Sequence, residues 1–139
     1  MNNKLLKVLK KIGEVTTYSD DTLVVEIMLS KLFDSYHGDG KIAFFISIDK
    51  DDLTIFGFGF YNIKRENVKE TEALEAINSS NNKIKYGKII LDDDGDISWA
   101  YSCNIDNINE QTAVMYCKSC IIGVMNVIEE LKKKENGHG

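Results

Sequence analysis

The chain has 139 residues, 43% hydrophobic and 28% charged, with a formal net charge of −5 and a pI near 5.0. That size suits one domain spanning 1–139 with a core of its own, and the acidic balance argues against nucleic acid as a general partner. Lysines interrupt residues 1–13 and no unbroken apolar run approaches the roughly 20 residues of a bilayer span, so the expectation is a cytoplasmic protein, with no membrane partner, whose Cys103, Cys117 and Cys120 are reduced thiols.

Asn3 to about Gly13 reads as a short helix, with Leu5, Val8, Leu9 and Ile12 on one face and Lys4, Lys7, Lys10 and Lys11 on the other. Asn2 or Asn3 could cap its start and Gly13 could end it. The lysine face suits a docked, solvated helix better than a membrane-surface one, because three turns bury too little apolar area to hold a bilayer. Residues 22–33 carry two patterns. Leu23, Val25, Ile27 and Leu29 alternate as in a strand, while Val24, Ile27, Met28, Lys31 and Leu32 fit a helix. The turn residues His37-Gly38-Asp39-Gly40 and the alternating runs Lys41–Ile48 and Leu53–Tyr61 favour a three-strand meander. Phe56, Phe58 and Phe60 then share one face, expected to be core, and Gly57 and Gly59 the other. A strand glycine suggests close approach by something, either a packed helix or a bound peptide.

Asn67-Val68-Lys69-Glu70 has the form of a capping box and predicts a helix with Val68, Thr71, Leu74 and Ile77 inward, stopped by Asn78–Asn82. Ile84–Leu91 and Asp96–Ile105 read as the fourth and fifth strands, joined by the turn Asp92-Asp93-Asp94-Gly95. In the fifth, Ile97, Trp99, Tyr101, Cys103 and Ile105 form the apolar face. After a second capping-box-like stretch, Asn107–Glu110, a long helix runs to about Lys134. Val114, Cys117, Ile121, Val124, Ile128 and Leu131 make a heptad-like seam, widened by Met115, Ile122 and Met125. Residues 135–139 read as a frayed tail.

Candidate chemistry is sparse. Cys117-Lys118-Ser119-Cys120 lies inside a predicted helix rather than at its start, where the dipole would stabilise a thiolate. A zinc site would need a second such pair or a nearby histidine. Buried structural cysteines are therefore the expectation, and a thiol- or metal-dependent sensor or enzyme using Cys103, Cys117 and Cys120 is the alternative. Aligning Gly95 with the glycine of a calcium loop puts Ile90 and Tyr101 where acids belong, so Asp92–Asp96 reads as a solvated turn. His37 and His138 have no triad-like neighbours in sequence, and Gly57-Phe58-Gly59 lacks the rest of a phosphate-binding motif.

The derived order is α-β-β-β-α-β-β-α. Together with Ala73-Leu74-Glu75-Ala76-Ile77-Asn78, Asn81, Tyr86-Gly87-Lys88 and Asp92-Asp93-Asp94-Gly95 before Ile97, it resembles the YbjN family, bacterial sensory transduction regulators sharing the fold of type III secretion chaperones. The resemblance covers most of the chain in order, though its informative letters lie between residues 73 and 101. It implies an α+β domain with a five-stranded antiparallel sheet and flanking helices, often dimeric, acting through protein contacts and carrying no catalytic residues. The long cysteine-containing final helix departs from it. The expectation is a non-enzymatic protein-binding module, chaperone-like or regulatory, without cofactor or metal, partnered by another protein or by itself as a homodimer. Gly57, Gly59, Trp99, Tyr101, Ile121, Met125 and Ile128 are the candidate interaction residues.

Overall fold

Strict alternation of apolar residues makes strands of most of the chain's first half, and one further strand forms without it. The computed structural model describes residues 3–137, with side-chain surroundings through Glu135, so His138 lies outside the described residues. In chain order the elements are α1 (Asn3–Ile12), β1 (Glu14–Ser19), β2 (Thr22–Met28), the four-residue α2 (Leu29–Leu32), β3 (Lys41–Asp49), β4 (Asp52–Asn62), α3 (Glu70–Asn81), β5 (Lys88–Leu91), β6 (Asp96–Asn104), a 3-10 turn (Ile105–Asn107) and α4 (Glu110–Gly137). The strands form one antiparallel sheet in the order β1-β2-β3-β4-β6-β5. The class is α+β as expected, but the sheet has six strands rather than five, and the expected order gains β1 and α2.

The residues group into two compact units: those up to Phe56 with Tyr101–Lys118, and Gly57–Ala100 with those from Ser119 onward. In the first unit, α1 turns Leu5, Leu9 and Ile12 inward and leaves its lysines outside. It stops at Ile12 because the chain must approach β2. A Cβ added at Gly13 would lie 2.4 Å from the Glu26 carbonyl oxygen. Residues 22–33 use both of their patterns in turn. Leu23, Val25 and Ile27 are buried along β2, and the chain then coils once through α2, burying Leu32. β2 pairs with β3 from Thr22↔Ser47 to Met28↔Lys41, and Phe44 and Ile46 join the same buried face. β1 is almost wholly exposed, so it has no apolar period to read. Its legible marks are the β-formers Val15, Thr16, Thr17 and Tyr18 and the polar turn after them. That turn is held by Asp21, whose carboxylate accepts hydrogen bonds from the Ser19 hydroxyl (2.9 Å) and the Thr22 hydroxyl (3.1 Å). The two bonds hold its pKa below the ordinary carboxylate range.

In the second unit, α3 begins at Glu70 rather than Asn67. Asn67 sits in the left-handed region (φ 55), Val68 precedes the helix, and the N-cap is Lys69 with no side-chain cap bond. The buried stripe of α3 is Ala73, Ala76, Ile77 and Ser80, while Leu74 of the expected stripe is exposed. Short β5 starts only at Lys88, and Ile84–Gly87 form a loop instead of strand. The β5–β6 turn is the expected one. The Asp92 carboxylate accepts from the amides of Asp94 and Asp96, both at 2.9 Å, and the Gly95 amide donates to the Asp92 carbonyl at 3.1 Å. Side chains at and just past the end of β4 grip the same turn: the Asn62 side-chain amide donates to the Asp96 carboxylate at 2.8 Å and the Lys64 ammonium to the Asp93 carbonyl at 2.8 Å. The aspartate run is thus wired into the fold as a turn.

A reciprocal cap starts α4, two residues later than predicted. The Asn109 side chain accepts from the Thr112 amide and the Thr112 hydroxyl from the Asn109 amide, each at 2.9 Å. The buried stripe of α4 is Ala113, Tyr116, Cys117, Cys120, Val124, Val127 and Leu131. It is rotated from the predicted seam, so that Val114, Ile121 and Ile128 fall on its half-buried margin.

Candidate protein-interaction surfaces

The rotation of α4 decides what the helix leaves outside. Met115, Ile122 and Met125 are 37%, 46% and 46% exposed. Their spacing of seven and three residues keeps them on one side of the helix. Ile121 and Ile128 flank them half-buried. Residues Glu110–Glu135 are, by length and composition, apolar enough to cross a membrane, although much of that apolar character is spent on the buried stripe.

The other predicted interaction residues occupy different settings. Gly57 is buried against a packed helix, the first of the two reasons foreseen for a strand glycine: a Cβ there would lie 3.1 Å from the Cys120 sulfur and 2.7 Å from the Phe60 ring. Gly59 has φ +69 and open space around it. That conformation breaks the alternation, which is why Phe60 lies on the Gly57 side of the strand rather than with Phe56 and Phe58. The buried residues of β4 are Leu53, Ile55 and Gly57, and Phe58 is 56% exposed, so the expected phenylalanine core face is instead the outer face. Trp99 is fully buried and offers a partner nothing. Tyr101 is half-buried, its ring 4.6 Å from that of Tyr116.

What Trp99 does is structural. Its indole N–H donates to the Tyr86 carbonyl at 3.0 Å, and the Ser119 hydroxyl donates to the same carbonyl at 2.8 Å while accepting from the Tyr86 amide at 3.1 Å. Neither Ser119 nor Tyr86 was legible as a pair, since 33 residues separate them.

The two sheet edges differ. On β5, the Asn81 side chain accepts from the Ile89 amide at 2.8 Å and donates to the Ile89 carbonyl at 3.1 Å, occupying the backbone that an added strand would use. β1 has no such cover. The Leu29 amide donates to the Gly40 carbonyl and the Ile48 amide to the Asp21 carbonyl, which places the odd-numbered residues of β2 in bonding register with β3. Even-numbered Val24 and Glu26 therefore bond to Thr16 and Glu14, and Val15 and Thr17 direct their amides and carbonyls outward. Among the described residues, no backbone hydrogen bond engages that outer side. Beside the start of β1 lies a cleft of about 580 Å³, walled by Ile12, Met28 and the lysines 10, 11, 31 and 41.

Two of the three cysteines are core residues. Cys117 and Cys120 are buried in α4, and burial pushes the Cys117 thiol up to about 12. Cys103 is half-buried, and burial together with the Asp52 carboxylate raises its pKa as well. Among the described residues, no group of three or more His, Cys, Asp or Glu side chains is arranged to hold a metal ion.

Comparison of the chain with family models, with curated proteins and with solved structures yields no significant match.

Proposed function

We propose that this chain is a non-enzymatic, cytoplasmic protein-binding module, chaperone-like or regulatory, that self-associates as a homodimer through the outer face of α4. The observation that carries the reading is the row Met115, Ile122 and Met125, which leaves large apolar side chains 37–46% exposed on a helix whose opposite side is fully packed. Methionine suits such a face because its flexible thioether adapts to the surface opposite. The thiol alternative gains no such support: a pKa pushed up to about 12 is the reverse of what a nucleophilic or metal-binding Cys117 requires.

Kinship with the YbjN family is part of the proposal. The residues that carry the resemblance have structural work in this fold, Asn81 at the β5 edge, Gly87 beside Trp99 and Asp92 in the hairpin turn. Light scattering during size-exclusion chromatography tests the reading. The chain should run as a dimer at about 100 micromolar, and Ile122→Glu with Met125→Glu should run as a monomer with unchanged circular dichroism, since charge on a covered apolar face opposes association. A wild-type monomer at that concentration would remove the homodimer, and an unaltered dimer in the double variant would move the contact off α4.

A further inference from the structure

We propose that the open edge of β1, with the lysine cleft beside it, is a docking site for an extended acidic segment of another protein. This surface is separate from the outer face of α4 and does not depend on self-association through it.

Two observations select this edge. The opposite edge, β5, is closed by the paired hydrogen bonds of Asn81 to Ile89, whereas on β1 the amides and carbonyls of Val15 and Thr17 face outward. A strand added there would gain main-chain bonds in register with the sheet. The cleft then sets the chemistry of the occupant. β1 pairs with β2 only as far as Glu26, while β2 continues to Met28, so no strand lies beside the last residues of β2 on that side, and there Ile27 is buried and Met28 open. Around the cleft stand Lys10, Lys11, Lys31 and Lys41 against Glu14 and Glu26, a local excess of positive charge on a chain of net charge −5. Lys41 and Lys31 already face Glu26 and Glu110, each at 3.4 Å, but Lys10 and Lys11 have no carboxylate partner among the described residues. Met28, 43% exposed, gives the cleft an apolar wall. An extended segment lying along Val15–Thr17 would therefore place acidic side chains against Lys10 and Lys11 and an apolar one against Met28. A second copy of this chain fits the edge less well, because a six-residue contact of mostly polar side chains falls well short of the roughly 800 Å² per partner that a stable dimer buries.

The probe is a fluorescein-labelled decapeptide alternating valine and threonine, with glutamates at both ends, titrated with the full chain and read by anisotropy. A lysine-ended decapeptide serves as its counterpart. The glutamate-ended probe should bind below about 1 mM and about tenfold more tightly than the lysine-ended one, with the difference shrinking in high salt. Thr17→Pro removes only an outward-facing amide, which an edge strand tolerates, and should weaken binding about tenfold. Lys10→Glu with Lys11→Glu, both on the exposed face of α1, should weaken the glutamate probe and strengthen the lysine one. Equal affinity for the two probes, indifference to both variants, or no binding up to about 1 mM overturns the proposal. A fall in oligomeric mass on Thr17→Pro without peptide binding would put a second copy on the edge, and overturns it too.

Discussion

Replacing Gly87 with alanine should destabilise the fold by about 3–6 kcal/mol, and the structure says how that sum divides. Gly87 holds φ +81, where an L side chain costs about 1–2 kcal/mol. Its new Cβ would stand 2.4 Å from Trp99 Nε1, 2.5 Å from Cε2 and 2.7 Å from the Ala100 carbonyl oxygen. Trp99 is fully buried, so it can yield only by displacing packed neighbours, which costs about 1–3 kcal/mol. Any such shift also loosens its 3.0 Å bond to the Tyr86 carbonyl, worth about 1 kcal/mol. Gly59 provides the control. It has φ +69 but nothing within 4 Å of an added Cβ, so Gly59→Ala should show the conformational cost alone, about 1–2 kcal/mol. Urea unfolding measures both variants, and Trp99, the chain's single tryptophan, reports on the affected site through its own fluorescence. The gap between the variants should be about 2–4 kcal/mol. If they agree within about 0.5 kcal/mol, close packing on Trp99 does not hold the Tyr86–Gly87 loop and the reasoning fails.

Two other outcomes follow from the buried polar contacts and the thiols. Asn81→Ala leaves the Ile89 amide and carbonyl without their side-chain partners, so stability should drop by about 2 kcal/mol and the Ile89 amide should exchange faster in native-state hydrogen exchange. Unchanged protection at Ile89 would show that the β5 edge is not held by Asn81. Cys117 has its thiol pKa raised from 9.0 to about 12 by burial, so the folded state binds its proton more tightly than the unfolded one. Its contribution is complete below pH 9 and declines by about 1.4 kcal/mol per unit as pH rises towards 12. The fall in stability between pH 8 and pH 10 should therefore be shallower in Cys117→Val than in the wild type, by about 1.4 kcal/mol. Parallel pH profiles would mean the thiol ionises as freely folded as unfolded.

Residue order alone carried the α+β class, the alternation of β2 and β3, the Asp92–Asp96 turn, and the burial of Cys117, Val124 and Leu131 along α4. Those features arise within a few residues, where side-chain period and turn chemistry act directly on the backbone. β1 escaped because a strand exposed on both faces shows no period, and the start of α3 because Asn67 took a left-handed turn instead of a cap. The candidate surface was legible only in part: of the residues named for it, Met125 is 46% exposed while Trp99 is core. An alternating strand shows which residues share a face but not which face is covered. Only the packed structure could decide that Phe56 and Phe58 of β4 face outward while Phe60 does not, that Ser119 and Trp99 meet at Tyr86, and that Asn81 closes one sheet edge while β1 stays open, because each outcome depends on groups distant in sequence arriving together.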